Sequence, residues 1–231
     1  MKTEISGAVS IRAGAVLLKG DLCIPEDASS IVLFAHGSGS GRTSPHNQYV
    51  AQVLQEAGLA TLLFDLLTDD EAEIDERTAH LRFEIRFLAE RLLGVSDWIR
   101  HHERSRSMQI GYFGASTGAA AALVAAAERP EQVSAVVSWG GRPDLAGTAL
   151  ARVRSATLLI VGALDQTVLS LNRHALAELT CLKELRIIPG ATHRFEEPGT
   201  LEQAALHARE WFATCFAAES ATPEDALRGR V

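Results

Sequence analysis

The sequence predicts a single α/β domain in which helices cover both faces of a mostly parallel, twisted sheet. Three observations carry this prediction. Short apolar runs alternate with helical patterns from Ser30 to Phe216. The runs are apolar at nearly every position, as in strands buried on both faces of a parallel sheet. No internal repeat or linker interrupts them, so residues 1–216 are expected to form one domain, followed by a C-terminal tail, 217–231, that we expect to be disordered.

Composition narrows the functional classes. The 231 residues are 47% hydrophobic and 22% charged, as in ordinary globular domains of this size. The net charge of −7 argues against nucleic acid and anionic membrane surfaces as partners. The first ten residues lack the apolar core of a signal peptide, and no apolar run is long enough to span a bilayer. We expect a cytoplasmic protein, either a monomer or a homodimer.

The spacing of the cysteines also favours a cytoplasmic location. Cys23, Cys181 and Cys215 are widely spaced, and the sequence contains no C-x-x-C pair. They are expected to be free thiols in a reducing environment. No Cys/His cluster has zinc spacing, so we expect neither a metal nor an organic cofactor.

The first half of the chain begins with an antiparallel hairpin at the sheet edge and continues into buried strands. A helix is predicted to start at Pro45, with Ser44 as its N-cap and Gly58 at its end. An acidic run, 69–76, precedes a helical pattern that begins at Leu81, and Gly94 is expected to break or bend that helix. The predicted strands of this half are 4–10, 15–24, 30–35 and 61–64.

The second half alternates strands and helices more regularly. Its predicted strands are 108–113, 133–139, 156–161 and 184–188, and its helices are an alanine-rich segment after residue 116 and residues 144–153, 169–179 and 200–216. In such a sheet, ligands bind outside the carboxyl ends of the strands.

The most informative stretch is the turn Gly114-Ala115-Ser116-Thr117-Gly118, a G-x-S-x-G pattern between a strand and a helix. A serine on such a turn presents its hydroxyl at the sheet edge on a strained backbone. Side chains at Gly114 and Gly118 are expected to collide with the neighbouring strand and helix. The helix start adds N–H groups and positive dipole character, which suit a developing oxyanion.

Two further loops follow predicted strands at the same edge. Asp165 follows strand 156–161 and His193 follows strand 184–188. A serine needs a base near neutral pH, and that base, a histidine, needs an acceptor at its other nitrogen. Ser116, Asp165 and His193 supply these groups. Asp144 stays a rival acid, and Asp165 could instead cap the following helix. The other histidines are His36, His46, His80, His101, His102, His174 and His207.

From about Ser30 to Phe216, these motifs in this order make the chain resemble an α/β-hydrolase, closest to the dienelactone hydrolase-like branch. The resemblance rests on the His36-Gly37 turn, the serine turn, the acid loop 162–168 and the histidine loop 190–195. It implies Ser116 as nucleophile, Asp165 as orienting acid and His193 as base. It also implies an oxyanion hole formed by the N–H groups of Thr117 and Ser38, with Gly37 as the fallback if the turn is shifted.

Two features depart from that branch. Dienelactone hydrolases proper use a cysteine nucleophile, whereas this turn carries Ser116. No large insertion follows the strand ending at Trp139, where lipase-type relatives carry a cap, which implies an open site. The expected function is cleavage of a small carboxylic ester, thioester or lactone through an acyl-enzyme. The same residues would serve acyl transfer to an acceptor other than water.

Two other functions stay open. The loop Gly37–Gly41 follows a strand and precedes a helix, as in phosphate- and dinucleotide-binding proteins, although Arg42 stands where the third glycine or the P-loop lysine belongs. A non-catalytic binding protein could also keep this fold. Arg42, Arg82 and Arg142 are candidate ligands of a substrate carboxylate, and Arg42 and Arg142 lie in loops at the predicted active edge.

Overall fold

One sheet organises the molecule. The computed structural model describes residues 4–37 and 39–220, in which eight strands form a single sheet. The strands are β1 (Ile5–Ala13), β2 (Val16–Ile24), β3 (Ser30–Ala35), β4 (Ala60–Phe64), β5 (Gln109–Ala115), β6 (Val133–Trp139), β7 (Ala156–Gly162) and β8 (Lys183–Ile188). Their spatial order is β1-β2-β4-β3-β5-β6-β7-β8. The pairs β1–β2 and β2–β4 are antiparallel and all others are parallel, so the predicted sheet with an N-terminal hairpin at its edge is confirmed.

Helices cover both faces of this sheet. Within the described residues they are α1 (Pro45–Glu56), α2 (Asp69–Thr78), α3 (Ile85–His101), α4 (Thr117–Glu128), α5 (Gln166–Glu178) and α6 (Thr200–Ser220), with 3₁₀ segments at Leu81–Phe83 and Pro143–Arg152. Alternate residues of β3 point to the two faces of the sheet. Ile31 and Leu33 pack in the core with α3 and α4, while Val32 and Phe34 pack in the core with α1 and α6. Burial on both faces explains why β3 is apolar throughout.

The segment between β4 and α3 differs from the prediction. The acidic run forms a helix of its own, α2, instead of the first turn of the following helix. Thr68 and Glu71 form a capping box at its start, and Ala79 ends it in the left-handed conformation. The expected break at Gly94 was wrong, because Gly94 lies inside an uninterrupted α3. A Cβ there would lie 3.0 Å from Ala13 atoms, so this glycine allows α3 to pack closely on the hairpin.

Helix ends differ by a few residues elsewhere. Ser44 takes the predicted N-cap position of α1, but its side chain makes no capping hydrogen bond. The last helix, expected to end at residue 216, continues to Ser220. The Glu219 carboxylate accepts hydrogen bonds from Ser134 Oγ at 2.6 Å and Gln109 Nε2 at 3.1 Å, which ties this last turn to the sheet. The remainder of the predicted tail, 221–231, lies outside the described residues.

Candidate active site

Ser116 sits on a strained backbone between β5 and α4. Its φ of 49° and ψ of −119° lie in a region that non-glycine residues adopt at a cost of about 1–3 kcal/mol. The end of β6 and the loop after it hold this conformation from both sides. Ser116 N–H donates to Trp139 O at 3.2 Å, and Ser116 O accepts from Arg142 N at 3.0 Å. The serine therefore has a backbone position fixed by a second loop.

Glycines let the chain crowd around this turn. A Cβ at Gly118 would lie 2.1 Å from Ala35 O, and one at Gly114 would lie 2.5 Å from Ala119 Cα. These distances confirm the predicted collisions with the neighbouring strand and helix. A Cβ at Gly37 would lie only 2.8 Å from Ser116 Cβ, so the loop after β3 also passes directly beside the serine.

His193 and Asp165 are in direct contact. His193 Nδ1 lies 2.7 Å from Asp165 Oδ2, and the side chains are 47% and 14% exposed. A carboxylate at this distance favours the proton on Nδ1, which leaves Nε2 of the neutral ring free to accept one. The other carboxylate oxygen, Oδ1, accepts the N–H of Val168 at 3.4 Å at the start of α5. Asp165 thus contacts the histidine and caps the helix at once, so the two interpretations of the sequence are compatible.

Close packing and hydrogen bonds position the histidine loop. A Cβ at Gly162 would lie 2.3 Å from Ala191 O, so the loop lies directly on the end of β7. Glu197 accepts the Thr192 N–H at 3.0 Å and the Thr192 hydroxyl at 2.6 Å, and the hydroxyl bond is the main cause that lowers the pKa of Glu197. Phe195, with φ 55°, is fully buried and packs edge-on against Trp139.

The rival acid has a different partner. Both carboxylate oxygens of Asp144 accept hydrogen bonds from Arg142, from Nε at 2.9 Å and from a terminal nitrogen at 2.8 Å. This pairing raises the pKa of Arg142. The structure therefore brings Asp165, and not Asp144, to His193.

Ser116 and His193 line one cavity of about 380 Å³, which we call the catalytic cavity. Trp139 and Phe195 form apolar parts of its wall, and the side chain of His46 lies edge-on to Trp139. The hydrogen bonds among the described residues do not include one between Ser116 and His193, a contact that often tightens only when substrate binds. No large insertion covers this cavity after β6, where the 3₁₀ segment Pro143–Arg152 leads directly to β7.

One of the two residues predicted to supply the oxyanion hole, Thr117, lies at the same turn. Thr117 is the first residue of α4 and is 2% exposed, and Ser38 lies outside the described residues. Gly37 is buried, and its carbonyl accepts the N–H of Ser40 at 3.3 Å. The role of each backbone N–H stays a prediction.

His36 has a bracing function that the sequence did not indicate. The Leu66 N–H donates to His36 Nε2 at 2.9 Å, and His36 Nδ1 lies 3.0 Å from Gly37 O. These contacts fit a neutral ring protonated on Nδ1, which joins the loop after β3 to the loop after β4. Burial lowers the pKa of His36 from its ordinary value of 6.5 and so favours this neutral form. Only its position directly after a buried strand could have drawn attention to it.

The arginines suggested as carboxylate ligands already have carboxylate partners. Arg42 contacts Asp21 at 2.6 Å and Asp65 at 3.2 Å, and the hydrogen bond to Asp21 is the main cause that raises its pKa. Arg82 pairs with the buried Asp75 at 2.8 Å. Arg42 and Arg142 are not among the described residues that line the catalytic cavity. Their role in substrate binding stays a prediction.

Three further observations on the described residues concern metal binding, the cysteines and membrane insertion. Across residues 4–37 and 39–220, no three His, Cys, Asp or Glu side chains are placed to hold a metal ion. The three cysteines are free. In the same residues, no helix combines the length and apolar character needed to cross a membrane.

Known proteins share both the sequence and the fold. Two Mycobacterium tuberculosis proteins, from strains CDC 1551 and H37Rv and each named "putative phosphoribosyl transferase", are 55% identical over 204 residues, which is 88% of this chain. The chain spans only 45% of the length of those relatives. The crystal structure of a dienelactone hydrolase from Anabaena variabilis is 59% identical, has a TM-score of 0.90, and aligns over 92% of this chain and 99% of that one.

A more distant structure shares the fold alone. Est1E from Butyrivibrio proteoclasticus has a TM-score of 0.76 at 18% identity, over 92% of this chain and all of that one. The sheet with its hairpin, surrounding helices and no large cap is thus an α/β-hydrolase-like fold. The model of the dienelactone hydrolase family matches residues 18–219. By this match and by the identity to the Anabaena protein, the chain belongs to the dienelactone hydrolase family.

Proposed function

We propose that the protein is a serine hydrolase that cleaves a small carboxylic ester, thioester or lactone through an acyl-enzyme. One observation carries the proposal: His193, which lies 2.7 Å from Asp165, lines the same cavity as a serine held on a strained strand-to-helix turn. Family membership supports a hydrolase. The residue roles and the ester class come from the site geometry and chemistry.

The proposed reaction has two steps. Ser116 Oγ attacks the ester carbonyl while His193 Nε2 takes its proton, and Asp165 stabilises the imidazolium that forms. The N–H groups of Thr117 and Ser38 would stabilise the oxyanion. The tetrahedral intermediate collapses, and the leaving oxygen takes the proton from His193. A water molecule then attacks the acyl-enzyme, His193 accepts its proton, and that proton returns to Ser116 as the acid leaves.

A covalent probe tests this proposal. A fluorophosphonate should label Ser116, as located by mass spectrometry, and labelling should be lost in Ser116→Ala and strongly slowed in His193→Ala. Ser170→Ala and His174→Ala are matched controls, because both residues are exposed on α5. Turnover of p-nitrophenyl acetate should fall by about 10⁴- to 10⁶-fold in the two site variants. A folded protein that is neither labelled nor active would instead support a non-catalytic binding protein.

Nucleotide binding at the loop Gly37–Gly41 is a weaker alternative. The Asp65 carboxylate accepts the Arg42 N–H at 2.9 Å and lies where a Cβ on Gly41 would meet it at 2.7 Å. A carboxylate against the loop opposes a phosphate there. Equilibrium dialysis against ATP and NAD should therefore show no binding, and saturable binding would support the alternative.

Phosphoribosyl transfer is a further candidate, because the Mycobacterium tuberculosis relatives carry that name. Less than half of those proteins aligns with this chain, so the activity in the name need not belong to the aligned part. The contact between His193 and Asp165 suits acyl transfer. We expect no consumption of phosphoribosyl diphosphate by this chain, measured as released diphosphate.

The cysteines and arginines bear on two further proposals. The free state of the three cysteines supports a cytoplasmic location.

If Arg142 binds a substrate carboxylate, Arg142→Ala should raise KM more for an anionic ester than for a neutral one. A substrate anion would have to displace Asp144, and equal changes in the two KM values would remove the hypothesis.

A further inference from the structure

A second cavity of about 330 Å³ opens beside the serine turn, between the turn and the segment that follows β4. Gly37, Gly39 and Ser40 line both this cavity and the catalytic cavity. Thr117, the residue after the serine, also lines the second cavity, whereas Ser116 and His193 line only the catalytic one. The two cavities therefore meet at the turn where a reacting carbonyl would be held.

Reaction geometry assigns the two halves of an ester to these cavities. The leaving oxygen must face His193, because the imidazolium gives it a proton. The leaving group then lies in the catalytic cavity. The acyl carbon chain departs from the carbonyl in a different direction, past the oxyanion groups. The second cavity is lined by Gly37 and Thr117, the two described residues among those expected to supply the oxyanion hole.

We propose that the second cavity binds the acyl group of the substrate and selects neutral or cationic acyl groups over anionic ones. This inference rests on the proposed ester hydrolysis and names the substrate class for it. Apolar side chains give the cavity the character of an acyl pocket. They are Leu66, Leu67, Ala72 and Leu88.

Charge gives the cavity its selectivity. Arg82 is the one cation among the described lining residues, against the carboxylates of Asp65, Asp69, Asp75 and Glu76. Arg82 pairs with Asp75, while Arg42 and Lys19 pair with Asp65 and Asp69 from outside the cavity. The Glu76 side chain is exposed and forms no ion pair or hydrogen bond within residues 4–37 and 39–220. An anionic acyl group would face an excess of like charge in this pocket, whereas an ammonium group would face an excess of opposite charge.

Ion pairs preform the pocket. Its outer wall includes α2, which buries Asp75 but none of its apolar side chains. Asp75 accepts the Arg82 Nε–H at 2.8 Å and the Arg82 backbone N–H at 3.0 Å, and Arg91 of α3 pairs with Glu71. These bonds hold α2 in place without apolar packing, and the apolar lining residues Leu67 and Ala72 stay partly exposed to the cavity.

Three p-nitrophenyl esters with a common leaving group test the charge selectivity. They carry the 4-(trimethylammonio)butanoyl group, its neutral isostere 5,5-dimethylhexanoyl, and the anionic adipoyl group as its monoester. We expect the cationic ester to exceed the anionic one in kcat/KM by about tenfold or more, since a charge pair at 4 Å in water is worth roughly fivefold and several carboxylates act together.

Variants of α2 connect this selectivity to the second cavity. Glu76→Gln should lower the ratio of cationic to neutral kcat/KM by about three- to fivefold. Glu73→Gln, on an exposed position of the same helix outside the cavity lining, should leave the ratio unchanged. Ala72→Phe fills part of the pocket and should lower kcat/KM more for the dimethylhexanoyl ester than for the acetyl ester.

The outcomes separate the two proposals. If the unmodified protein neither hydrolyses the acetyl ester nor is labelled at Ser116, the proposed function is overturned, and this inference with it. Normal acetyl ester turnover together with a preference for the anionic ester would overturn the inference alone and favour the arginine hypothesis. Equal effects of Ala72→Phe on the acetyl and dimethylhexanoyl esters would also overturn it.

Discussion

Replacing Asp165 by asparagine is the sharpest perturbation of the site, because it exchanges one carboxylate oxygen for an NH₂ group and removes the charge with little change of shape. The carboxylate has two distinct contacts: Oδ2 lies 2.7 Å from His193 Nδ1, and Oδ1 accepts the Val168 N–H at 3.4 Å. In an amide one of these oxygens becomes an N–H donor. The helix N–H can only be satisfied by the remaining oxygen, so the NH₂ group would face the histidine.

This orientation would reverse the histidine tautomer. Nδ1 would have to accept a hydrogen bond, so the proton of the neutral ring would move to Nε2. His193 could then no longer take the proton of Ser116, and the imidazolium would lose its carboxylate. Loss of turnover by about 10⁴-fold is expected, which corresponds to about 5.5 kcal/mol of transition-state stabilisation.

The assay combines kinetics with a measurement of the tautomer. Asp165→Asn should lower kcat for p-nitrophenyl acetate with little change in Tm, and ¹⁵N chemical shifts of His193 should show the proton on Nε2. Asp144→Asn is the matched control, because Asp144 pairs with Arg142 instead of the histidine, and it should cost less than about tenfold. Equal losses in the two variants, or full activity of Asp165→Asn, would refute the assignment of Asp165.

Three further outcomes concern stability and its pH dependence. Gly118→Ala should destabilise the fold by about 3 kcal/mol or more in urea denaturation, because the new Cβ would meet backbone oxygens, whereas Gly7→Ala, with open space around it, should be tolerated. Because burial lowers the pKa of His36, its contribution to stability should be complete above about pH 6.5 and lost as the pH falls from there to the lower native pKa. His36→Gln should flatten this part of the stability profile. Asp75→Ala should lower the free energy of unfolding by about 1–3 kcal/mol, because it leaves Arg82, one-quarter exposed, without its partner.

Much of the fold could be predicted from local sequence patterns. Strand β3 was predicted with its observed bounds, because burial on both faces makes every one of its positions apolar. The serine turn was equally clear, since a tight strand-to-helix crossing requires glycine where backbone meets backbone, as Gly118 meets Ala35. The contact between Asp165 and His193 also followed from topology, which brings the ends of adjacent parallel strands together.

The remaining features depend on contacts between distant segments. The hydrogen bond from the Leu66 N–H to His36 joins residues 30 positions apart, and nothing in either local sequence pattern indicates it. Gly94 carries a helix-breaking signal, but packing against Ala13 outweighs the cost of about 1 kcal/mol that glycine has in a helix. The arginine partners were equally hidden, because Arg42 contacts Asp21 and Asp65 from two other segments.

The loop after β6 links the serine to the segment that carries the acid. Trp139 O and Arg142 N hold the two backbone polar groups of Ser116, and Gly140 N–H donates to Ile160 O of β7 at 2.8 Å. The fully buried Asn172 of α5 donates to Gly141 O at 2.9 Å, and α5 begins directly after Asp165. The strained Ser116 and the start of α5 after Asp165 are therefore held in place by the same short segment, the end of β6 and the loop after it. Because a site must keep its geometry to within about half an ångström, this shared contact explains how the segments after β5 and β7 keep a fixed position relative to each other.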